Sequence, residues 1–277
     1  RWRPIRQRFF FAQNQKGDGF YVMLHFPHTS GTVLFSGQAA RPVFSFTPNS
    51  KKARYSMRQF KDMHIIGIDH GYGNLKTVSG IFSASVLPFD QEPIHAQDLL
   101  VYGGKYYVIG SGHREFTPDK VSNSDHYILT LAGIGQELWA HRMTNTRVYI
   151  AAGLPLTWVE SQRERFRAYL LQNGHVDFTW RGIAYHVEIV GASVYAQGFS
   201  AIVPMLGQFK GVNMLCDIGN GTMNIMTIQD RRAVMDQCFT EKYGTYQCML
   251  RAREALSQRF GRTLPDAVTD EVLRNGD

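Results

Sequence analysis

From residue 63 onward the chain alternates short apolar runs with polar turns, and in places the apolar positions shift from strand to helix spacing. Residues 64–69 and 75–87 read as two strands around a glycine turn, and "VYGGKYYVIG" (101–110) reads as a hairpin through Gly103-Gly104. Between Asp125 and Met143 the apolar residues Tyr127, Ile128, Leu131, Ile134 and Leu138 recur at helical spacing. "RVYIAAGLP" (147–155) is a buried strand closed by Gly-x-Pro, and Thr157 with Glu160 has the form of a capping box opening a helix to about Gln172. Asn173-Gly174 would stop that helix. Ile183, Tyr185, Val187 and Ile189 alternate in a strand that pairs with 175–180 across Arg181-Gly182. A short helix over roughly 196–206, a strand–turn–strand at 212–228, a strand near 233–239 and a helix from Tyr243 to Phe260 complete the pattern. Hairpins, crossovers and helices mixed in this way predict an α/β fold.

The first 62 residues do not follow this pattern. "RWRPIRQRFFFAQNQKGDGFYVMLHFPHTSGTVLFSGQAARPVFSF" has no sustained period, and His25, Pro27 and His28 break its apolar stretches well short of a membrane span. It lacks a clear continuous apolar core with a cleavage site, so it does not read as a secretory signal. Charge separates it further: residues 1–62 hold 11 Lys and Arg against Asp18 and Asp62, whereas residues 63–277 hold 19 basic and 21 acidic residues. The overall net charge of +7 therefore belongs to the leading segment, and the remainder carries no nucleic-acid-binding signature. Two readings of 1–62 stay open. It is either sequence foreign to a fold that opens at Met63, or a basic arm for DNA or a membrane surface. Cys216, Cys238 and Cys248 form no CxxC pair, which suits buried thiols in a reducing cytoplasm. The His25/His28 pair has no later Cys or His cluster to complete a zinc site.

One turn occurs twice. "IIGIDHGYGNLKT" (65–77) and "MLCDIGNGTMNIMTI" (214–228) each run from an apolar strand through Asp-x-Gly-x-Gly into another strand, with Asp69 and Asp217 lying 148 residues apart. That distance suits one motif in each half of a duplicated domain rather than a solenoid. Glycine-rich turns let successive backbone N–H groups form an anion-binding concavity. Two facing turns could grip a polyphosphate, provided a divalent cation with retained waters relieved its repulsion from the two aspartates. Lys76 would add a point charge. Two other nucleotide-binding loops fit less well: no G-x-x-x-x-G-K-[ST] occurs, and Lys76 stands where a dinucleotide fingerprint needs its third glycine.

These motifs resemble the two phosphate loops of the actin/chaperone/sugar-kinase ATPase superfamily. Within it, "IGIDHGYGNLKT", "DHYILTLAGIGQEL", "VYIAAGLPLTW" and "VYAQGFSAI" are similar to bacterial actin-like proteins of the ParM/StbA plasmid-segregation type. The resemblance implies an actin-like, ribonuclease H-like fold with a mixed sheet and flanking helices. It implies a first domain over 63–210 and the start of a second over 211–277, C-terminally incomplete. It implies ATP or GTP with Mg²⁺ as ligands. Asp69 and Asp217 would organise the ion and its waters, and Lys76 would touch the phosphates. Gly71, Tyr72, Gly73 and Asn74 would form the first loop, and Gly219, Asn220, Gly221 and Thr222 the second. Gln197 would orient the attacking water, although Ala196 stands where the family usually has proline. Lys242 and Tyr243 fall about where the family begins its base pocket.

The function so implied is a cytoplasmic actin-like ATPase that polymerises into filaments and meets DNA through an adaptor protein, without binding nucleic acid or membrane itself. A small-molecule kinase of the same superfamily and a non-catalytic nucleic-acid-binding protein using residues 1–62 are the alternatives.

Overall fold

The computed structural model describes residues 19–26, 29–35, 45–46, 57–111, 119–122, 124–262, 265 and 268. Its strands are, in chain order, β1 (Gly19–Phe26), β2 (Thr29–Phe35), β3 (Ser45–Phe46), β4 (Arg58–Phe60), β5 (Met63–His70) and β6 (Asn74–Lys76). Then come β7 (Ile81–Ser83), β8 (Val86–Phe89), β9 (Leu99–Tyr102), β10 (Lys105–Ile109), β11 (Asn145–Leu154) and β12 (His175–Trp180). The last are β13 (Ile183–Ala196), β14 (Val212–Ile218), β15 (Met223–Gln229) and β16 (Arg232–Glu241). The helices are α1 (Asp125–Ala140), α2 (Val159–Leu170), α3 (Phe199–Ile202) and α4 (Thr245–Phe260).

Two sheets organise the chain. The larger has the order β7-β6-β5-β11-β13-β12-β9-β10-β8, with β4 pairing on β5. At its centre β5, β11 and β13 run parallel. Parallel strands need coverage on both faces, and α1 supplies it on one. This helix is apolar nearly all round, with Tyr127, Ile128, Leu129, Leu131, Ile134 and Leu138 all buried, as expected of a helix inside a core. It lies so close to the sheet that a Cβ on Gly135 would come within 2.8 Å of the Trp180 side chain. The amphipathic α2 buries only Val159, Phe166 and Leu170.

The smaller sheet has the order β16-β15-β14-β1-β2-β3, around a compact core that includes Leu156, Ile202, Leu215 and Ile228. The two sheets share a plan. In each, an aspartate-bearing strand (β5 or β14) opens an antiparallel meander and has a parallel neighbour on its other edge, β11 in one and β1 in the other.

Residues 75–87, expected as one strand, divide into β6, β7 and the start of β8, and three further local expectations are revised. Residues 1–62 were read as standing outside the fold, yet the backbone of β1 pairs in parallel with β14 from Gly19↔Asn213 to Leu24↔Ile218, and β4 pairs with β5. "GFYVMLHF" is a short continuous apolar run, a form that carries no period-2 signal, and the strand edge it covers would otherwise present unpaired backbone groups. Residues 1–18, 27–28, 36–44 and 47–56 of the leading segment, and the terminal "VLRNGD", lie outside the described residues. Second, Thr157 and Glu160 form no capping box. A 3-10 turn, Leu156–Trp158, precedes α2, no side chain caps that helix, and the Thr157 amide donates to Thr240 Oγ1 at 3.4 Å. Third, β13 continues to Ala196, so the region read as one helix from about 196 divides into α3 and a 3-10 turn, Val203–Gln208. Among the described residues no helix is long and apolar enough to cross a membrane.

The Gly135–Trp180 contact sets two effects against each other. Alanine at 135 gains up to about 1 kcal/mol of helix propensity, whereas overpacking a tight core costs about 1–3 kcal/mol. Because the added carbon meets the stem of a fully buried tryptophan, the clash should win. Gly135→Ala is expected to lower stability in urea by about 1 kcal/mol or more.

Candidate functional site

Along β5, Ile66, Ile68 and His70 turn into the core under α1. The alternation of a strand sends Gly67 and Asp69 to the opposite face. Register carries that face across the sheet, because Ala151 lies beside Gly67 and Ser193, and Gly153 beside Tyr195. Asp69 thus arrives at the end of its strand beside a floor of small residues, and β14 delivers Asp217 to the end of its strand in the other sheet.

Both ends open on one cleft of about 720 Å³, within the range of small-ligand sites. The twelve residues expected to hold phosphate, metal or water all line it: Asp69, the first turn Gly71–Asn74, Lys76, Gln197, Asp217 and the second turn Gly219–Thr222. Thr77, Val78, Tyr195, Phe199, Val203 and Thr245 also line it and carried no sequence signal. Lys242 and Tyr243 are not among the lining residues.

The two turns interlock. A Cβ on Gly73 would lie 2.6 Å from the Asn220 side chain, and one on Gly221 would lie 3.0 Å from the Tyr72 ring. Glycine is favoured at these positions because each turn occupies space that a side chain would fill on the other. Tyr72 also meets Trp158 edge to face, at 6.2 Å between ring centroids.

Each turn is held from behind. The carboxylate of Glu137, buried in α1, accepts from the Ser79 amide at 2.6 Å and from Ser79 Oγ at 2.9 Å, fixing the bend that carries Thr77 and Val78. On the other side, the Thr245 and Tyr246 amides at the start of α4 donate to the carbonyls of Gly219 and Asn220, each at 3.0 Å. Two N–H groups that a helix start leaves unpaired thereby secure the second turn.

Asp69 is the polar hub of the first half. Gln197 Nε2 donates to its Oδ1 at 2.9 Å, and Lys76 Nζ lies 3.7 Å from its Oδ2, directly across the hairpin. In the second half Asp217 is buried beside Asn224, whose Nδ2 is 3.5 Å from Asp217 Oδ2. The Asn224 Oδ1 accepts from Thr240 Oγ1 at 2.8 Å and from the Leu156 amide at 3.3 Å, so this network ties the second sheet to the end of β11. Burial, and after it the Asp217 carboxylate, pushes the neighbouring Cys216 thiol up to about 11.

The donor set bears on which ion could sit here. No group of three or more His, Cys, Asp or Glu side chains among the described residues could cage a metal. Two carboxylates facing one cleft suit a hard cation that retains its waters and takes its remaining ligands from phosphate, as Mg²⁺ does. The residues therefore fit a magnesium–polyphosphate and do not fit a protein-caged transition metal.

Comparison with known proteins agrees with this arrangement at the level of fold. Residues 67–199 match the family described as "Actin like proteins N terminal domain". Ta0583, an archaeal actin homolog, superposes in its complex with ADP at a TM-score of 0.60 and 19% identity, over 76% of this chain and 70% of that one. The apo psk41 ParM protein gives 0.58 at 17% identity, over 78% and 75% of the two chains. A filament structure of AlfA from B. subtilis plasmid pLS32 gives 0.53 at 14% identity, over 70% and 78%. No curated protein matches the sequence.

The environment of the cysteines provides a check on the site's burial. Thiolate is the reactive form, and a thiol raised to about 11 holds little of it at pH 8. Iodoacetamide at pH 8 should label the exposed Cys248 first and leave Cys216 unmodified until the chain is unfolded. Early labelling of Cys216 in peptide mass spectra would contradict the packing around Asp217.

Proposed function

We propose that this chain, whose residues 67–199 match the actin-like N-terminal domain family, binds Mg-ATP between its two glycine turns and hydrolyses it in a filament-forming cycle. The observation that carries the reading is the convergence of Asp69, Lys76, Gln197, Asp217 and both turns on one cleft.

Each residue has a task set by its chemistry. The backbone of Gly71–Asn74 and Gly219–Thr222 offers N–H groups to phosphate oxygens from two sides. Asp69 and Asp217 would hold a hydrated Mg²⁺, which when bound supplies neutralisation of the charge on the phosphates. Lys76 contributes a positive charge beside the first turn. Gln197 donates its amide N–H to Asp69, and the amide oxygen is the acceptor it offers to a water molecule. A neutral amide is sufficient there, because phosphoryl transfer depends on positioning more than on a strong base. The apolar walls, Val78, Phe199 and Val203 among them, limit the competing solvent.

A filament structure among the similar folds, that of AlfA, supports self-association as the purpose of the cycle. ATP-bound copies would add to filaments, and hydrolysis would loosen them. Segregation of plasmid DNA through a DNA-bound adaptor, in the cytoplasm, is the role this reading assigns.

Steady-state hydrolysis tests the assignment of the water-positioning group. Gln197→Ala should keep nucleotide affinity within about threefold while turnover falls by about 10²-fold, the scale of losing one preorganised polar group. Asp217→Ala should weaken Mg-dependent binding as well. Equal turnover in wild type and Gln197→Ala would remove Gln197 from the mechanism.

A further inference from the structure

One charged residue near the cleft has no part in the binding and hydrolysis of Mg-ATP as assigned to the lining residues. Lys120 is 1% exposed, among the most completely buried large side chains of the protein. It is absent from the cleft lining, so it stands behind the first turn rather than in it. Burying an ammonium group is costly unless its donors are satisfied. Lys120 Nζ donates to the carbonyl oxygen of His70 and, at 3.4 Å, to that of Gly153. The rings of Tyr72 and Phe166 flank it with centroids at 5.8 and 5.9 Å, a separation at which a cation is attracted to an aromatic face.

These two carbonyls are well placed to matter. The His70 carbonyl belongs to the peptide that joins the end of β5 to Gly71, the first residue of the first turn. The Gly153 carbonyl lies at the end of β11, shortly before the 3-10 turn that faces the second sheet. One ammonium group thus ties the turn carrying the phosphate-facing backbone to the strand beside it. A trans peptide is planar, with its C=O and N–H on opposite sides. Drawing the His70 oxygen back towards Lys120 therefore fixes the plane of this peptide and turns the Gly71 N–H away from Lys120.

Lys120 is itself held in place. In the short turn before α1, Asp119 Oδ1 accepts from the Val121 amide at 3.0 Å and Asp119 O accepts from Ser122 Oγ at 2.9 Å. Arg165 of α2 lies 2.8 Å from Asp119 Oδ2. The turn that carries Lys120 is therefore braced by its own local hydrogen bonds and by Arg165 of α2.

We propose that Lys120 is the positioning residue of the first phosphate loop: from its buried site it fixes the His70–Gly71 peptide to β11 and so presents the Gly71 N–H to a phosphate group. The proposal rests on the reading of the cleft as a polyphosphate site. It adds a residue that touches no ligand and acts through the backbone.

The test is titration calorimetry of the full chain with Mg-ATP and, separately, with Mg-pyrophosphate, which carries the phosphates alone. Thermal melts are recorded alongside. Lys120→Met replaces the ammonium group with a side chain of similar volume, Lys120→Gln keeps an N–H donor but loses charge and reach, and Lys120→Arg keeps a cation with donors. We expect Lys120→Met and Lys120→Gln to melt cooperatively and to bind both ligands at least tenfold more weakly. Lys120→Arg should recover affinity to within about threefold of wild type. The recovery distinguishes a held peptide from mere filling of space. Wild-type affinity in a folded Lys120→Met or Lys120→Gln overturns the proposal while leaving the cleft's assignment intact. Loss of cooperative folding in both would make Lys120 a folding residue and also overturn it. A wild-type chain that binds neither ligand would instead remove the polyphosphate reading, and this proposal with it.

Discussion

Two backbone turns, one from each half of the chain, fit into each other's missing side chains, and the cleft takes its form from that contact. Gly73 leaves the room that Asn220 fills, and Gly221 leaves the room that Tyr72 fills. A side chain on Gly73 would collide with the stem of Asn220, and one on Gly221 would press on the Tyr72 ring. The two aspartates, each near the end of a strand that leads into one of these turns, face the same cleft across that contact. The parallel strands and hairpins of both sheets can be understood as the means of holding these turns at that spacing.

The support is mostly polar, and it is directed at backbone. Glu137 holds the bend after the first hairpin, the first amides of α4 hold the carbonyls of the second turn, and Asn224 links β15 to the Leu156 amide. A buried hydrogen bond contributes modestly to net stability, about 1 kcal/mol, but leaving one of its partners unsatisfied costs about 1–3 kcal/mol. Such networks therefore fix a geometry more effectively than they raise overall stability. This suits the proposed task of holding phosphate and water in line.

The sequence announced the site more clearly than its surroundings. Asp-x-Gly-x-Gly could be read twice because glycine spacing and a preceding apolar strand are local properties, and the helical spacing of α1 was equally plain. What stayed hidden depended on partners distant in sequence. Lys120 stands between acid and apolar residues like any surface lysine, and only the fold carries it beneath the first turn, 50 residues from His70. Tyr195 and Thr245 reach the cleft for similar reasons of register and helix placement. The end of β13 was missed because its alternation fails after Ile189. Its pairing with β11 shifts register at Val148/Tyr149, and Gly191 there lies where a Cβ would be 2.5 Å from the Tyr149 ring. Thr157 and Glu160 had the letters of a capping box, but the Thr157 amide is engaged by β16 and the helix starts after a 3-10 turn.

The central claim is that both aspartates serve one bound ion–polyphosphate, and a double-mutant cycle measures this directly. Mg-ATP affinity would be determined by calorimetry for wild type, Asp69→Asn, Asp217→Asn and the double variant, with asparagine preserving shape while removing charge. If one ion lies between the two carboxylates, the losses should be strongly non-additive, with a coupling of about 1 kcal/mol or more. Losses that add to within about 0.5 kcal/mol would show two carboxylates acting independently, and would contradict a single site shared by the two turns.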